Sequence, residues 1–508
     1  MKNSVVIIGG GLGGLFTGAI LANEGLKVTL LEKNKTIGGG LQNFKRGGEV
    51  FDTGMHILGG FQRGGSLNKI CTYLGIQEEL SLKEVDKECM DSITYLSDNK
   101  SYRIPGGREN FINYFSKEFP DEADNIRDYV ENLYNLTEEV DMFYLRRGKD
   151  EIFSHSDQFL IPADKFIEKY IHNKRLRDLL AYMNPMYGGM AGHTPAYIHA
   201  LINVLYIDGT SRFVDGSQQL ASLLEKRIVE CGGEVITNCA VTGIETIERE
   251  IVGICANNNK RYSAECYISS IHPCSLLKLF KDEKAFPKSY RSRLSEIPNT
   301  YSSFTVFILF KKESFKYINH TCYAQEDYGM VWNHGEYNRN NWPRGFMYMT
   351  PPVKGQGEYT NKMIINCIMD FDIVRKWEET KTGQRGVEYE KWKEEHVNKV
   401  LEVMERLHPN FKESIQSIYS ASPLTIRDFY NVKEGSLFGF RKDCQNIALS
   451  QVPVYTKIQN LYLTGQNINL HGICGVPLTA INTAEAIIGT NSIIDKINKK
   501  YNQLYGDN

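Results

Sequence analysis

The sequence is first informative for what it lacks. None of its 11 cysteines stands in a C-x-x-C pair and their number is odd, so neither a disulfide framework nor a zinc ribbon is expected and a reducing, cytoplasmic setting is the simpler home. Net charge is small too: 59 basic against 61 acidic residues leave −2, which gives no chain-wide electrostatic reason to expect nucleic acid as a partner. There is no internal repeat and no low-complexity tract. No uninterrupted apolar run reaches membrane-spanning length except a deceptive one at the start, where Val5 to Ala22 carries no charge and follows Lys2. Gly9, Gly10, Gly11, Gly13, Gly14 and Gly18 fall inside that run, and each costs a helix about 1 kcal/mol relative to alanine, so a turn is expected there rather than a signal peptide or span.

What remains is an ordinary globular composition, 42% apolar and 24% charged over 508 residues, enough for several domains and a large core. The N-terminus reads as a βαβ unit: the buried run Val5–Ile8, the glycines, a helical stretch from Leu15 to Glu24, then the strand Lys27–Leu31. From about Leu74 to Ile207 long helical patterns take over, among them Phe111 to Leu136 and Phe166 to Met183. Residues Asp215 to Ile271 return to α/β texture, with a helix from Ser217 to Cys231 and strands at Glu234–Ile236, Val241–Ile247, Ile251–Cys255 and Cys266–Ile271. The runs Phe304–Phe310, Gly345–Met349 and Met363–Met369 predict a second, mostly antiparallel sheet, followed by an amphipathic helix over Val387 to Leu407. The last segment predicts the strand Leu461–Thr464, a glycine-bearing loop, a helix from about Pro477, and a frayed helix after Thr490.

The first glycine cluster has a specific context. Gly9-x-Gly11-x-x-Gly14 follows a strand and opens a helix, and Glu32 ends the next strand 18 residues beyond the last glycine. The first glycine permits the tight turn, the second lets a pyrophosphate approach the backbone, and the third allows close helix–strand packing. The helix N-terminus offers N–H groups to the phosphates, and Glu32 would accept from ribose hydroxyls while disfavouring a 2′-phosphate. A second cluster, Gly38-Gly39-Gly40, then Asp52-Thr53-Gly54-Met55-His56, has no standard use in an NAD domain. A longer dinucleotide with a buried flavin ring needs such a second stretch of bare backbone, which points to FAD.

These motifs, with Leu461-Tyr462-Leu463-Thr464-Gly465-Gln466 and Gly472-Ile473-Cys474-Gly475-Val476 at the other end, resemble the phytoene desaturase, carotenoid isomerase and retinol saturase family of FAD-dependent enzymes. The resemblance spans the chain, since Arg175–Leu180, Tyr187-Gly188-Gly189 and Val214–Leu220 also fall in the family's order. It implies an α/β fold: a Rossmann-type FAD-binding domain of the glutathione-reductase kind, assembled from residues 1–73, 211–280 and 433–508, with an α+β substrate domain inserted as residues 74–210 and 281–432. Carried over by position, Gly9, Gly11 and Gly14 would hold the pyrophosphate and Glu32 the adenosine ribose. Gly39, Gly40 and Gly54 would lie along the ribityl chain and ring, and Val241 would meet the adenine through its backbone. Gly465 and Gln466 would close from the other side, and a helix beginning near Gly475, Val476 and Pro477 would aim its N-terminus at the flavin. The chain departs from the family where an arginine often follows the glycine pair, here Gly40 and Leu41, and where an acid often stands at Gln466.

A second G-x-G-x-x-G after a strand is missing, so electrons are expected to pass through the substrate, oxygen, a quinone or a separate donor or acceptor protein. The family's substrates are lipophilic polyenes or isoprenoids held in an apolar tunnel, and the stretch Tyr197 to Phe213, with Tyr206, is a candidate lining. His56 is the first candidate for handling a proton at the ring, against a structural role of equal weight, and His471 the second. His471-x-x-Cys474 is a poor metal signal, and no metal site is expected. His193 and His199 are weaker candidates. The stretch Phe166 to Arg177 mixes apolar and basic residues as an interfacial helix does, so peripheral membrane contact is an alternative to plain packing over the substrate domain. Hydrogen transfer across a carbon–carbon bond is thus the leading expectation. A non-redox cis–trans isomerase, an amine-oxidising flavoenzyme and a flavin-binding protein without turnover are its rivals.

Overall fold

The computed structural model describes residues 2–148, 155–333 and 337–506. Its organising element is a five-stranded, wholly parallel sheet made of β1 (Ser4–Ile8), β2 (Lys27–Leu31), β3 (Glu234–Ile236), β4 (Cys266–Ser269) and β5 (Leu461–Leu463), in the order β3-β2-β1-β4-β5. Strands from distant parts of the chain can pair this way because parallel neighbours require long crossovers, and their apolar runs are buried on both faces. Helix α1 (Leu12–Asn23) joins β1 to β2, and α2 (Ala196–Ile207) lies in the helical layer. Helix α3 (Gln218–Glu230) precedes β3, and α4 (Gly472–Ile488) follows β5. Leu15, Phe16, Ala19, Ile20 and Leu21 of α1 are fully buried, because α3 and α4 both pack against it. Each of these leucine, isoleucine and phenylalanine side chains contributes about 1.5–3 kcal/mol by burial.

A second sheet has seven strands, in the spatial order 415–421, 302–310, 362–369, 345–349, 321–325, 91–95 and 100–104, all antiparallel except the pair 321–325 with 91–95. Its longest strand, Ser302–Phe310, is buried along its whole length and alternates sides. Phe304, Val306, Ile308 and Phe310 share a core with Tyr389, Trp392, Val400 and Met404 of the helix Val387–Leu407. Phe307 and Leu309 turn the other way, toward Phe51 of the hairpin formed by Asn43–Arg46 and Glu49–Asp52.

Several elements differ from expectation for identifiable reasons. The helical pattern over 111–136 is two helices, Arg108–Glu118 and Ala123–Glu138, interrupted at Pro120, whose ring and missing N–H stop the first. The pattern over 166–183 is likewise split into Ala163–Tyr170 and Lys174–Leu180, with Asn173 capping the second through bonds from the Arg175 and Leu176 N–H groups. Phe166, Ile167, Ile171 and Leu176 in this stretch all point into the core. Within the expected helical layer lies an unanticipated hairpin, Asp91–Tyr95 with Lys100–Ile104, whose Ile93, Tyr95, Tyr102 and Ile104 are buried. The tail after Thr490 is a docked helix rather than a frayed one: Ser492–Tyr505 packs Ile493, Ile494, Ile497 and Tyr501 inward near the helix Ser66–Leu74. Its first turn is held by Glu485, whose Oε1 accepts from the N–H groups of Ile493 and Ile494 at 3.0 Å. No single helix among the described residues is long and apolar enough to cross a membrane.

Candidate active site

A cavity of about 430 Å³ opens at the C-terminal ends of β1, β2, β4 and β5, where the strand order reverses between β1 and β4. Ligands of open α/β sheets bind at such switch points. Its walls bring together eleven of the residues singled out in the sequence. Gly9, Gly11 and Glu32 come from the first βαβ unit, and Gly39, Gly40, Gly54 and His56 from the segment that follows. Val241 begins the antiparallel ribbon 241–256, and Gly465, Gln466 and Val476 come from the C-terminal segment.

Backbones from three separated stretches meet at this cavity with no side chains between them. A Cβ on Gly13 would come within 2.7 Å of the Gly465 Cα, and one on Gly39 within 3.1 Å of the Gly11 Cα. Gly38 N–H donates to the Gly10 carbonyl at 2.7 Å, fixing the second cluster against the first. The Glu32 carboxylate is oriented by two backbone donors, Gly10 N–H to Oε2 at 2.7 Å and Asn34 N–H to Oε1 at 2.8 Å. These are the features a dinucleotide requires: bare backbone and the N-terminus of α1 for the phosphates, and an anchored acid for a ribose. The residues present therefore fit FAD.

Tyr206 lines the cavity too, whereas Gly14, Gly475, Pro477 and His471 are not among its walls. Gly14 serves packing, since a Cβ there would come within 2.0 Å of the Gly9 carbonyl oxygen. Helix α4 begins at Gly472 with His471 as its N-cap, five residues before Pro477, so Pro477 is interior to the helix rather than in its opening turn. The part of α4 that faces the cavity is consequently Gly472, Ile473 and Val476, while a Cβ on Gly475 would collide with Leu470 at 2.6 Å. His471 lines a second, smaller cavity of about 40 Å³ walled by apolar residues such as Ile198, Leu201, Leu205 and Leu478. This cavity adjoins the first, sharing Ile57, Met186, Tyr206, Gly472 and Ile473 with it. Cys474 lies there too, its Sγ 3.4 Å from the Ser66 hydroxyl.

His56 has a defined environment. Its Nδ1 is 2.9 Å from Ser217 Oγ, which lies 3.1 Å from the Leu41 carbonyl and 3.2 Å from Asp52 Oδ1. The carbonyl and the carboxylate only accept, so the single hydroxyl proton goes to one of them and His56 Nδ1 donates to the hydroxyl oxygen. In that tautomer Nε2 is the unprotonated nitrogen. Burial lowers the imidazole's proton affinity, against the opposing pull of Asp52 and of the Gly40 backbone, so the ring is held neutral below its ordinary range. His199, by contrast, is sealed in the helical layer with Tyr129 and Tyr187 hydroxyls on its two nitrogens, and His193 Nδ1 pairs with Asp443 at 3.0 Å.

Sequence reasoning missed the polar face that the second sheet turns to the cavity. Ser303 and Thr305, with hydroxyls 3.3 Å apart, and Asn366, paired with Thr305 across the strands, all line it, and Asn366 Oδ1 is buried without a partner. Tyr430 lines the same cavity, where burial pushes its phenol up to about 12. The only sequence signal for the trio was polar residues inside otherwise apolar strands.

Residues 12–488 match the family model described as flavin containing amine oxidoreductase. The chain is 24% identical to an all-trans-retinol 13,14-reductase of Rattus norvegicus over 97% of its own length and 87% of that protein's. It is also 24% identical to prolycopene isomerase 1 of an Oncidium hybrid cultivar, covering 91% of this chain and 79% of the other. Among solved structures, a putrescine oxidase superposes with a TM-score of 0.65 at 14% identity, covering 96% of this chain and 99% of that one, a likeness of fold.

Proposed function

From the premise that the chain belongs to the flavin-containing amine oxidoreductase family, we propose that it adds or removes hydrogen across a carbon–carbon bond of a lipophilic polyene or isoprenoid. The protein is an FAD-dependent oxidoreductase. The observation that carries the substrate reading is the apolar annex of the main cavity: Ile57, Met186, Ile198, Leu201 and Leu205 surround a space joined to the glycine-lined site. Such walls favour a hydrocarbon by excluding water. The relatives named for retinol and prolycopene extend along nearly the whole chain and support the same class.

When bound, FAD supplies hydride exchange with carbon. The chain's own part is to hold, orient and manage protons. Of the residues that line the cavity, Gly9, Gly11, Gly39, Gly40 and Gly465 would present backbone to the phosphates and ribityl chain, with Gly54 and Gln466 beside them, while Glu32 would take the adenosine ribose and Val241 the adenine edge. The positive end of α4, at Gly472 and Ile473, faces the cavity, where it favours negative charge. His56 Nε2 is the group placed to take a proton from, or return one to, a carbon centre, with Ser217 and Asp52 holding its ring.

One dinucleotide fingerprint per chain makes a separate electron donor or acceptor part of this proposal, and a membrane-dissolved substrate implies contact with a lipid surface. Flotation with liposomes, with and without anionic lipid, tests that contact. The reaction is tested by incubating holoenzyme with all-trans-retinol and chemically reduced flavin donor, then weighing the product. A gain of two hydrogens supports hydrogen transfer, unchanged mass with altered double-bond geometry replaces it with isomerisation, and aldehyde plus peroxide from amines alone replaces it with amine oxidation.

A further inference from the structure

Ser303, Thr305 and Asn366 form a polar patch in an otherwise apolar part of the second sheet. Ser303 and Thr305 stand two residues apart on one strand and so share a face, and Asn366 lies directly opposite Thr305 on the neighbouring strand. All three line the main cavity. The register sets apolar residues around them: Ile368 opposite Ser303, Phe307 and Ile364 two residues further along, and Met347 beyond Asn366. His56 lines the same cavity, and its chain neighbour Met55 packs against the cluster of Phe307 and Ile364 on this face.

The patch is short of partners. Ser303 Oγ and Thr305 Oγ1 are 3.3 Å apart, so one hydroxyl donates to the other and a single hydroxyl proton is left over. Asn366 Oδ1 is shielded from solvent and accepts from no group among the described residues. Native structures seldom leave such an atom bare unless something else completes it. What completes this patch must donate to Asn366 Oδ1 and accept the remaining hydroxyl proton. An alcohol does both with one oxygen. A carbonyl or ether oxygen only accepts, an ammonium only donates, and a hydrocarbon does neither. The residues fitted to FAD come from the glycine-bearing segments, the ribbon 241–256 and the C-terminal segment, whereas the patch stands on the second sheet.

We propose that Ser303, Thr305 and Asn366 seat a hydroxyl group of the substrate and so select a lipophilic alcohol over the matching hydrocarbon. The seat rests on the lipophilic-substrate reading above and narrows it. Asn366 is its specificity-determining residue: Oδ1 accepts the alcohol's O–H while the Ser303–Thr305 pair donates to the alcohol's oxygen. The hydrocarbon remainder is left to the apolar walls, through Met186 and Tyr206, which the main cavity shares with its annex.

The test is binding to the flavin-loaded protein, read as perturbation of the visible flavin spectrum. The ligands are all-trans-retinol, its methyl ether and its deoxy hydrocarbon, with hexadecan-1-ol and its methyl ether as a second set. Each alcohol that binds is expected to bind at least about tenfold more tightly than its ether and hydrocarbon. Asn366→Leu should abolish that preference with flavin content unchanged, and Thr305→Ser, which keeps a hydroxyl, should preserve it, with melting temperature as the check on folding. Should Asn366→Leu fail to fold, the alcohol and ether comparisons on the unmodified protein still decide. Retinoids that bind without preference for the alcohol overturn the seat and leave the polyene reading standing. Hexadecan-1-ol bound selectively while no retinoid binds keeps the seat and removes the polyene. Failure of every alcohol to bind overturns the seat. An undiminished preference in Asn366→Leu overturns it too, and loss of flavin from that variant would assign the patch to the cofactor instead.

Discussion

The imidazole Nδ1 of His56 lies 2.9 Å from the hydroxyl of Ser217, 161 positions further along the chain, and the Ser217 N–H in turn donates to Asp52 Oδ1 at 3.0 Å. The N-cap residue of α3 thus orients a side chain of the second glycine-bearing segment. His56→Gln should retain flavin and lower turnover by roughly 10²–10⁴-fold, the usual worth of a positioned proton carrier. The pH profile carries the sign. Burial depresses the His56 pKa, so the acid limb of kcat/KM should lie below the ordinary histidine range of about 6.5. Asp52 raises that pKa, so Asp52→Asn should move the limb to lower pH still.

The glycines divide into those that serve the fold and those that serve the ligand. A Cβ on Gly13 would meet the Gly465 Cα at 2.7 Å, so Gly13→Ala should destabilise the apoprotein by roughly 1–3 kcal/mol, as overpacking does. A Cβ on Gly11 meets only the Gly39 Cα, at 4.0 Å. Gly11→Ala should therefore melt like the parent without flavin and lose flavin affinity, and equal losses in both properties for both variants would remove the distinction.

His199 should appear in the acid stability of the fold. Burial drives its pKa down to about 3, and its nitrogens lie 2.7 and 2.9 Å from the Tyr129 and Tyr187 hydroxyls. The unfolded chain takes up a proton near pH 6.5 that the folded ring refuses, so this contribution is full above that pH and is lost as pH falls toward 3, by about 1.4 kcal/mol per unit. In His199→Gln the slope of unfolding free energy between pH 6 and 5 should fall by about one proton's worth. Urea titrations at the two pH values measure it.

The C-terminal helix is expected to be integral to the fold. Ile494 is 1% exposed, and Ile494→Ala should cost about 2–5 kcal/mol, whereas replacing the exposed Leu504 should cost little. Thermal melts of the two variants make the comparison.

Local signals were the legible ones. The unit β1-α1-β2 with Glu32 and the helix Val387–Leu407 follow from spacing alone, because strand burial, turn glycines and a repeating apolar face are written in adjacent residues. The start of α4 was not legible: Pro477 suits a first turn, yet Gly472 to Gly475 already form helix, packed in front of the cavity. The hairpin Asp91–Tyr95 and Lys100–Ile104 was hidden among helices because its partner strand, Thr321–Gln325, lies far along the chain. The same non-local pairing decides that Ser303, Thr305 and Asn366 face the cavity while Phe304 faces a helix.

The central claim is that FAD fills the cleft where Gly9 to Gly14, Gly38 to Gly40 and Gly465 converge. The most direct measurement is the visible absorption spectrum of the purified native protein, with the released chromophore identified by mass. The account predicts a yellow protein with flavin bands and one equivalent of FAD per chain. A folded protein that is colourless and takes up no added FAD would contradict it.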